Sequence, residues 1–371
     1  MSVNKIGVIG GGQLAWMMAG AAQKLGIELI IQTPNINDPA VSIAADTILA
    51  PVDDGTATAN LANLCDVITF ENEFVNLQAL QELESQGVCF RPNLTALSPL
   101  LDKYQQRSYL EKVGLPVPFF WQFGEHEIKF PVVIKARRHG YDGQGTFIVR
   151  NQAQLNEIHQ QRDTSNLMVE EFIPFEQELA VMAARSVTGE VVVYPVVETQ
   201  QENQVCHRVM APAKISSQLT QKIEKIAKQL LNQLGVVGIF GIELFLTPEG
   251  KVLVNEIAPR THNSGHYTLD ACDISQFEMH LRAVAGLSLN PPQFKSTTAV
   301  MINLLGYEHS QDNYIAKRQK IETIPQAYVH WYGKKESRPG RKLGHVTVLL
   351  NSQELVEIER ISHQIESIWY D

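Results

Sequence analysis

Cysteine and positive charge are both scarce in this chain of 371 residues. The four cysteines include no CxxC pair, which argues against a disulfide framework or a cysteine zinc site and favours reduced thiols in the cytoplasm. The net charge of −9 argues against a general nucleic-acid-binding protein, which needs a basic surface. No apolar run approaches the roughly 20 residues of a membrane span, and no signal-like segment precedes the first predicted strand. These absences predict a cytoplasmic protein whose partners include neither a membrane nor a nucleic acid.

The length of the chain predicts two or three domains, because it exceeds what one ordinary core accommodates. Strands and helices alternate over residues 1–100, which is typical of a parallel sheet covered by helices. An α+β region is expected at 101–290, with a lid at about 118–185 inside it. The last region, 291–371, is rich in β-prone runs suited to a small barrel or sandwich.

Two polar features follow predicted strands of the first region. A glycine triplet at 10–12 opens a helix, but the second strand ends at Gln32, where an NAD site needs an acidic residue for the ribose. The triplet therefore indicates another phosphate site or close strand–helix packing. Glu71 and Glu73 end a buried strand, the position at which ligands bind in open α/β sheets. A solvated loop is the alternative for these two carboxylates.

A lysine and a glycine-rich loop carry a stronger phosphate-binding signal. Lys135 ends an apolar strand, where a lysine is awkward in a core but well suited to binding a phosphate as a point charge. The glycines of the loop at 139–145 would let backbone N–H groups reach phosphate oxygens, and the loop could close as a lid. A plain β-turn is the alternative. Glu170 and Glu171 end a later strand whose edge could bind an adenine base, with Glu178 on its ribose.

Two further carboxylates come from a predicted β-hairpin. A four-residue turn containing proline and glycine joins the apolar strands 238–246 and 251–257, which is typical of a hairpin. If the two ends of that turn pair, Glu243 lies opposite Val254, and Glu256 is diagonal to Glu243 at about 7–8 Å. Two such carboxylates repel each other unless a cation such as Mg²⁺ neutralises them. The hairpin therefore predicts a metal site, with two surface glutamates as the alternative.

A polar loop and a basic run complete the candidate site. The loop at 258–267 follows the second carboxylate and includes Arg260 and His262, a composition typical of a reaction centre. His262 and His266 have a spacing that zinc can use, but the chain has no HExxH motif and no cysteine partner. The segment 334–342 packs five cations into nine residues of an acidic protein. It predicts either a local anion site, such as a phosphate pocket, or a solvated hairpin tip.

Together these features resemble an ATP-grasp enzyme, and more narrowly the 5-(carboxyamino)imidazole ribonucleotide synthetase family of purine biosynthesis. The matching segments span nearly the whole chain, and the last three are specific in combination. They are GGGQLAWMM (10–18), TFENE (69–73), KARRHGYDGQG (135–145), NEIAPRTHNSGHYT (255–268) and SRPGRKLGHVT (337–347).

The resemblance implies an α/β fold with a Rossmann-like N-terminal pre-ATP-grasp domain, an α+β lid and central domain, and a small β-rich C-terminal domain. It implies an ATP-dependent carbon–nitrogen ligase that carboxylates 5-aminoimidazole ribonucleotide with bicarbonate through carboxyphosphate. ATP and Mg²⁺ are the expected cofactors, and a homodimer is the expected assembly.

The resemblance also implies a role for each matching position. The phosphates of ATP would contact Lys103, Lys135, Gly140, Tyr141, Asp142, Gly143, Gln144, Gly145 and Thr146. The adenine, the ribose and the rest of the nucleotide would contact Glu170, Glu171, Phe172, Ile173, Glu178, Gln201, Asn255 and Glu256. Mg²⁺ would bind Glu243 and Glu256. The catalytic residues would be Tyr141, Asp142, Arg260 and His262, with Asp142 as the base for the amine proton. The substrate nucleotide would bind Glu71, Glu73, Lys334, Arg341 and Lys342.

Some positions depart from the family pattern. Gln144 stands where relatives often carry a basic lid residue, and Gln201 stands where a histidine is common. Ala258 replaces the asparagine of many ATP-grasp enzymes, a change that the subfamily shares. By strand parity, Asn255 points away from Glu256, which weakens its expected contact with ATP.

Three other functions fit part of the pattern. A formate-dependent glycinamide ribonucleotide transformylase shares the three-domain plan. An NAD-dependent oxidoreductase would rest on the first glycine turn, and Gln32 argues against it. A non-catalytic nucleotide-binding regulator is compatible with every motif and would show no turnover.

Overall fold

The computed structural model of the chain describes residues 3–138, 145–202 and 204–371. Within these ranges the strands form three sheets, two of four strands and one of nine. The small sheets use residues 5–171, and the large sheet uses residues 177–350. None of the helices in these ranges combines the length and the apolar character that crossing a bilayer requires.

The first region is the predicted parallel sheet, with strand order β3-β2-β1-β4. Its strands are β1 (Lys5–Ile9), β2 (Glu28–Thr33), β3 (Asp46–Leu49) and β4 (Val67–Phe70). Its helices are α1 (Gln13–Trp16), α2 (Ala19–Leu25), α3 (Gly55–Ala62), α4 (Leu77–Ser85) and α5 (Leu94–Leu97). Val8 packs in one apolar cluster with Met18, and Phe70 packs in another with Leu80, so both faces of the sheet are covered. Because β1 and β4 are neighbours, the residues that follow them emerge at one carboxyl edge.

The second sheet is antiparallel and carries the predicted lid region. Its strands run in the order β5-β8-β6-β7. They are β5 (Phe120–Gln122), β6 (Val132–Ala136), β7 (Thr146–Val149) and β8 (Leu167–Glu171). Helix α6 (Lys103–Lys112) precedes this sheet and helix α7 (Gln152–Gln161) lies within it in sequence. Asp102 caps α6, because its side chain accepts hydrogen bonds from the N–H groups of Tyr104 and Gln105.

The large sheet follows the order β14-β13-β9-β11-β12-β15-β17-β16, with β10 paired to β9. Its strands are β9 (Gln177–Arg185), β10 (Val191–Val193), β11 (Val197–Glu202), β12 (Val205–Ala211), β13 (Gly238–Leu246), β14 (Val252–Ala258), β15 (Thr298–Leu305), β16 (Ala327–Trp331) and β17 (Lys342–Leu350). The helices are α8 (Ser217–Leu234), α9 (Thr268–Ala271), α10 (Gln276–Ala285), α11 (Ile315–Glu322) and α12 (Leu355–Tyr370).

The last region has the predicted β-rich character, but the prediction of a closed barrel or a sandwich is wrong. Strand β15 pairs with β12, so β15, β17 and β16 continue the central sheet. This pairing covers the backbone donors and acceptors that β12 would otherwise expose at a sheet edge. The C-terminal region is therefore joined to the centre of the molecule by a hydrogen-bonded ladder.

Helix α8 supports the strands that carry the candidate site. Its N-cap is Ser216, whose hydroxyl accepts from the N–H of Leu219, and its C-cap is Gly235, with a left-handed φ of 62°. Its buried residues recur at intervals of three and four, and they are Ile223, Ile226, Ala227, Leu230 and Leu231. They pack in one cluster with the apolar side chains of β13. This packing fixes the hairpin that follows the helix.

Candidate active site

Side chains from the lid sheet, from the large sheet and from the segments that follow strands of the parallel sheet surround one cavity of about 1250 Å³. The residues expected from the sequence that line it are Glu71, Glu73, Lys103, Thr146, Gln201, Glu243, Glu256, Arg260, His262, Lys334, Arg341 and Lys342. Among the described residues, those expected at the site that do not line it are Lys135, Gly145, Glu170, Glu171, Phe172, Ile173, Glu178 and Asn255. The expected lid positions Gly140, Tyr141, Asp142, Gly143 and Gln144 lie outside the described residues.

The hairpin of β13 and β14 places Glu243 directly opposite Glu256. The predicted pairing of Glu243 with Val254 is wrong, for two reasons. Thr247 pairs with Lys251, with its N–H donating to the Lys251 carbonyl (2.9 Å), because Gly250 takes a left-handed φ of 74° and completes a three-residue loop. A β-bulge between Glu243 and Leu244 then shifts the register once more. The two shifts turn a diagonal carboxylate pair into a directly facing one.

The same bulge changes the place of Asn255. Residues Val254 and Glu256 both have partners across the ladder, and Asn255 is the extra residue between them. Its amide oxygen accepts hydrogen bonds from Lys135 Nζ (3.0 Å) and Arg107 Nη2 (3.4 Å). Strand parity does not apply across this bulge, because it puts two consecutive residues opposite one. Asn255 contacts Lys135, whose charge also acts on Glu256, but it does not line the cavity that Glu256 lines, so its contact with ATP stays a prediction.

A buried cluster of charges lies beside the cavity. Glu170 accepts from Arg107 Nε (2.6 Å) and pairs with Lys135 Nζ (2.7 Å), and all three side chains are at least 92% buried. Burial alone would raise the pKa of Glu170, but the charges of Arg107 and Lys135 lower it to about 2. Burial lowers the pKa of Lys135, and Glu170 opposes that effect. The strand-end lysine is therefore held in place by a carboxylate beneath it.

Arg107 is a site residue that sequence reasoning missed. Its Nη1 also donates to the carbonyl of Val254 (2.7 Å), so one guanidinium joins α6, the lid sheet and the hairpin. The sequence contains one signal that could have found it. Arg107 follows Lys103 by four residues on a helix, and residues at that spacing share a face.

The facing carboxylates differ in their electrostatic surroundings. Lys103 Nζ lies 2.5 Å from Glu256 Oε2. Burial would raise the pKa of Glu256, but Lys103 and Lys135 together lower it. Burial, Glu256 and Glu178 raise the pKa of Glu243 to about 7, and burial raises that of Glu178 to about 7 as well. Two facing carboxylates under this repulsion could hold a cation that neutralises their charge.

Glu71, the first carboxylate after β4, lies against the glycine triplet. A Cβ atom on Gly10 would lie 2.6 Å from Glu71 Oε2, and one on Gly12 would collide with Glu71 Oε1. Gly10 also has a left-handed φ of 113°, so the triplet allows close approach of Glu71. Burial raises the pKa of Glu71, and Arg260 opposes that effect. Glu73 pairs with Arg260 through Nε (2.9 Å) and Nη2 (3.1 Å).

Gln32 is occupied by contacts inside the first region. Its Nε2 donates to the carbonyl of Pro51 (2.8 Å), and its Oε1 accepts from Thr58 Oγ1 (2.9 Å). It is completely buried. A buried, neutral glutamine cannot replace the acidic residue that binds the ribose hydroxyls in an NAD site, which argues against the NAD-dependent alternative.

The loop at 258–267 and the basic run close the cavity. His262 Nε2 lies 3.5 Å from Glu243 Oε1, and its Nδ1 bonds Ser264 Oγ (2.9 Å). Lys334 Nζ donates to the carbonyl of Lys342 (2.8 Å). Lys334, Arg341 and Lys342 are half-buried and line the cavity together with the exposed Lys335, which donates to Asn37 Oδ1 (2.7 Å). The basic run is therefore folded against the cavity and is not a freely solvated hairpin tip.

An N-terminal parallel sheet, a lid sheet, and a central sheet with facing carboxylates next to two lysines together define an ATP-grasp ligase. Family models match in the same order: the ribonucleotide synthetase preATP-grasp domain over 3–99, the ATP-grasp domain over 109–277, and the phosphoribosylaminoimidazole carboxylase C-terminal domain over 299–359. The N5-carboxyaminoimidazole ribonucleotide synthase of Synechococcus elongatus is 52% identical over 379 residues, which cover 99% of this chain and 96% of that protein.

Solved structures show the same likeness. The N5-carboxyaminoimidazole ribonucleotide synthetase of Thermotoga maritima has a TM-score of 0.88 at 38% identity, covering 99% of this chain and 98% of that one. The synthase of Aspergillus clavatus in complex with ADP and 5-aminoimidazole ribonucleotide has a TM-score of 0.90 at 31% identity, covering 100% and 99%. The chain belongs to the N5-carboxyaminoimidazole ribonucleotide synthase family of purine biosynthesis. The fold class and the enzyme class predicted from the motifs are thereby confirmed.

Proposed function

We propose that this chain uses ATP and bicarbonate to carboxylate the exocyclic amine of 5-aminoimidazole ribonucleotide through carboxyphosphate. The observation that carries the proposal is the facing pair Glu243 and Glu256 beside Lys103, in one cavity that the cations of the basic run also line. Similar enzymes crystallised with ATP, or with ADP and 5-aminoimidazole ribonucleotide, support it.

Magnesium fits the hairpin pair. Mg²⁺ is usually bound by one or two carboxylates together with substrate phosphates, and Glu243 and Glu256 supply two facing ones. The raised pKa of Glu243, caused by burial and by Glu256, is the repulsion that a divalent cation would relieve. When bound, Mg²⁺ would neutralise charge on the transferring phosphoryl group.

The nucleotide would lie between the lid sheet and the hairpin. Lys103 and Lys135 would meet its phosphates, with Asn255 and Thr146 beside them. Glu170, on the neighbouring strand of the same sheet, forms an ion pair with Lys135 that fixes the position of its ammonium group. The remaining contacts, to adenine, ribose and phosphates, are proposed for Gly140, Tyr141, Asp142, Gly143, Gln144, Gly145, Glu171, Phe172, Ile173, Glu178 and Gln201.

The substrate nucleotide would span the rest of the cavity. Its phosphate is proposed for the cations Lys334, Arg341 and Lys342, and its ribose for Glu71 and Glu73. A phosphate monoester needs concentrated positive charge, and the basic run is the segment with the densest positive charge in an acidic chain.

Bicarbonate would bind between the two nucleotides. Arg260 pairs with Glu73 at the substrate end, and His262 lies beside Glu243 at the metal end. These two side chains are therefore the proposed contacts for an anion that must receive a phosphoryl group from one side and an amine from the other.

The chemistry asks mainly for positioning and neutralised charge. Bicarbonate is a poor electrophile, and phosphorylation converts it into carboxyphosphate with phosphate as the leaving group. Phosphoryl transfer depends on alignment and electrostatic stabilisation, which the lysines and the carboxylate-bound cation would supply. The amine then attacks the carboxyl carbon, and Asp142 is proposed to take its proton. Exclusion of water by the lid would protect carboxyphosphate from hydrolysis.

The test is ADP release at controlled bicarbonate, with and without 5-aminoimidazole ribonucleotide. ADP should form only when both are present, in step with incorporation of labelled bicarbonate into the nucleotide. Formate-dependent ADP release with glycinamide ribonucleotide, or nicotinamide binding without ADP release, would overturn the proposal.

We also propose that the chain acts as a homodimer in the cytoplasm. The four cysteines Cys65, Cys89, Cys206 and Cys272 are all free thiols, which supports a reducing compartment. Light scattering after gel filtration should give twice the 41.5 kDa of one chain. A mass equal to one chain at micromolar concentration would refute the dimer.

A further inference from the structure

One buried carboxamide forms hydrogen bonds with the backbone of the loop that contains the proposed bicarbonate contacts. Gln276 opens helix α10 and is completely buried. Its Oε1 accepts from the N–H of His262 (2.9 Å), and its Nε2 donates to the carbonyl of His262 (2.8 Å). These two opposed bonds fix which end of the amide is nitrogen, because the reversed amide would satisfy neither.

The orientation of this amide in turn determines which ring nitrogen of the buried His266 is protonated. Gln276 Nε2 also lies 2.9 Å from His266 Nδ1, and an amide nitrogen can only donate. His266 Nδ1 is therefore the acceptor, and its proton resides on Nε2. Burial lowers the pKa of His266 well below the usual value, and Lys342, His262, His330 and Arg260 act in the same direction. The ring is neutral at pH 7 with a defined tautomer.

Among the described residues, the Nε2–H donor of His266 has no acceptor. The atom is buried and has no hydrogen-bond partner within the described residues. A buried donor without a partner is rare and calls for an explanation, because it loses its hydration and gains nothing in return. A bound ligand that supplies an acceptor provides that explanation.

The surroundings of His266 indicate which ligand that would be. His266 borders the cavity, and the cations Arg260 and Lys342 lie close enough to affect its pKa. A neutral donor among cations suits an anionic oxygen, because it adds a hydrogen bond without adding repulsion between like charges.

We propose that Gln276 is a positioning residue of this active site, which sets the place of His262 and locks His266 as an Nε2–H donor for an anionic oxygen of the substrate. The role rests on the proposed carboxylation reaction and adds two residues to its machinery. The side chain of Gln276 is closely packed, because a Cβ atom on Gly265 would lie 2.5 Å from Gln276 Oε1. A side chain held this tightly transmits its geometry to its partners.

The tautomer is measured directly in the unaltered enzyme by ¹⁵N NMR of histidine-labelled protein at pH 7. The His266 ring should show a protonated Nε2 and an unprotonated Nδ1. A proton on Nδ1, or a charged ring, would overturn the proposal. Adding 5-aminoimidazole ribonucleotide with Mg·ADP in one sample, and bicarbonate in another, distinguishes the two sources of the anionic oxygen. The Nε2 resonance should shift in one of these two samples. An unchanged resonance in both samples would refute the binding role.

The kinetic test is Gln276→Glu, with Gln229→Glu as the matched control. A carboxylate at position 276 cannot donate to the His262 carbonyl and favours a proton on His266 Nδ1. We expect kcat to fall about 100-fold, the cost of a small displacement at a reacting centre, with KM for ATP nearly unchanged. Gln229 is a helix glutamine whose Nε2 also donates to a backbone carbonyl, that of Val113 (2.9 Å), outside the cavity, so kcat of its variant should stay unchanged.

The outcomes separate this role from the proposed function. Unaltered enzyme without bicarbonate-dependent ADP release defeats the proposed function. Normal turnover of the unaltered enzyme together with an undiminished kcat for Gln276→Glu defeats only the positioning role. If the variant fails to fold, the ¹⁵N measurement on the unaltered enzyme still decides the tautomer.

Discussion

Replacing Glu170 by glutamine tests whether the buried charge cluster stabilises the fold as well as the site. Glu170 is 3% exposed and sits between Arg107 and Lys135 at 2.6 and 2.7 Å. Glutamine keeps the shape but removes the negative charge, so two buried cations are left facing each other. Removing one partner of a buried ion pair costs about 3–5 kcal/mol.

The pKa of Glu170 gives a second value for the free energy by which its ion pairs stabilise the folded state. It falls from 4.5 to about 2 in the folded protein, and at about 1.4 kcal/mol per pH unit this corresponds to about 3 kcal/mol in favour of the folded state. Because the folded pKa is the lower one, the stabilisation is complete above pH 4.5. It is lost as the pH falls from about 4.5 to about 2, when the unfolded chain binds the proton first.

Urea unfolding followed by tryptophan fluorescence measures both effects. Trp121 is a suitable probe, because it is buried on β5 opposite Val169 of the same lid sheet. Glu170→Gln should unfold at a lower urea concentration at pH 7, by about 3 kcal/mol, and should lose less stability than the unaltered protein between pH 4.5 and pH 2. Glu171→Gln changes the neighbouring exposed carboxylate and should shift stability by about 0.5 kcal/mol or less. Equal midpoints for both variants at pH 7 would refute the reasoning.

Three further predictions concern turnover. Glu256→Gln removes one of the two facing carboxylates proposed to bind Mg²⁺ and should abolish ATP cleavage in the ADP-release assay; normal Mg²⁺-dependent turnover would refute the assignment. Asp142→Asn should lower carboxylation far more than ATP binding, and weakened ATP affinity with unchanged turnover would count against Asp142 as the base. Gly12→Ala should displace Glu71 and raise KM for 5-aminoimidazole ribonucleotide, because the added Cβ collides with that carboxylate. Gly20→Ala is its control, since a Cβ there meets nothing within 4 Å, and equal KM values for the two variants would contradict a role for Glu71.

The hairpin shows how far sequence reasoning reaches. Apolar runs around a turn with proline and glycine were enough to predict two strands and to single out Glu243 and Glu256. Their register was not predictable, because it depends on a left-handed Gly250 and on a bulge at Asn255. Each of these shifts the strand pairing by one residue, and neither can be recognised from the alternation of apolar and polar residues in the sequence.

Local sequence patterns could not predict the burial or the contacts of residues whose partners are distant in the sequence. Arg107 belongs to a charged helix segment, and its burial follows from Glu170, which lies 63 positions further along the chain. The pairing of β15 with β12 is likewise a contact between separate regions, so three β-prone runs could not distinguish a closed barrel from an extended sheet. Periodicity specifies which face of an element is apolar, but it does not specify what covers that face.

The loop at 258–267 is the part of the site that joins the whole fold. Arg260 binds Glu73 after β4, and His262 lies beside Glu243 of the hairpin. Asn263 exchanges two side-chain hydrogen bonds with Asn303 of β15, at 2.9 and 2.7 Å. One short segment is thus tied to the end of the parallel sheet, to the carboxylate hairpin and to the C-terminal strands. A reaction that passes a phosphoryl group to bicarbonate and the carboxyl group onward to a second nucleotide needs all three regions in fixed register, and this loop is the element placed to hold them there.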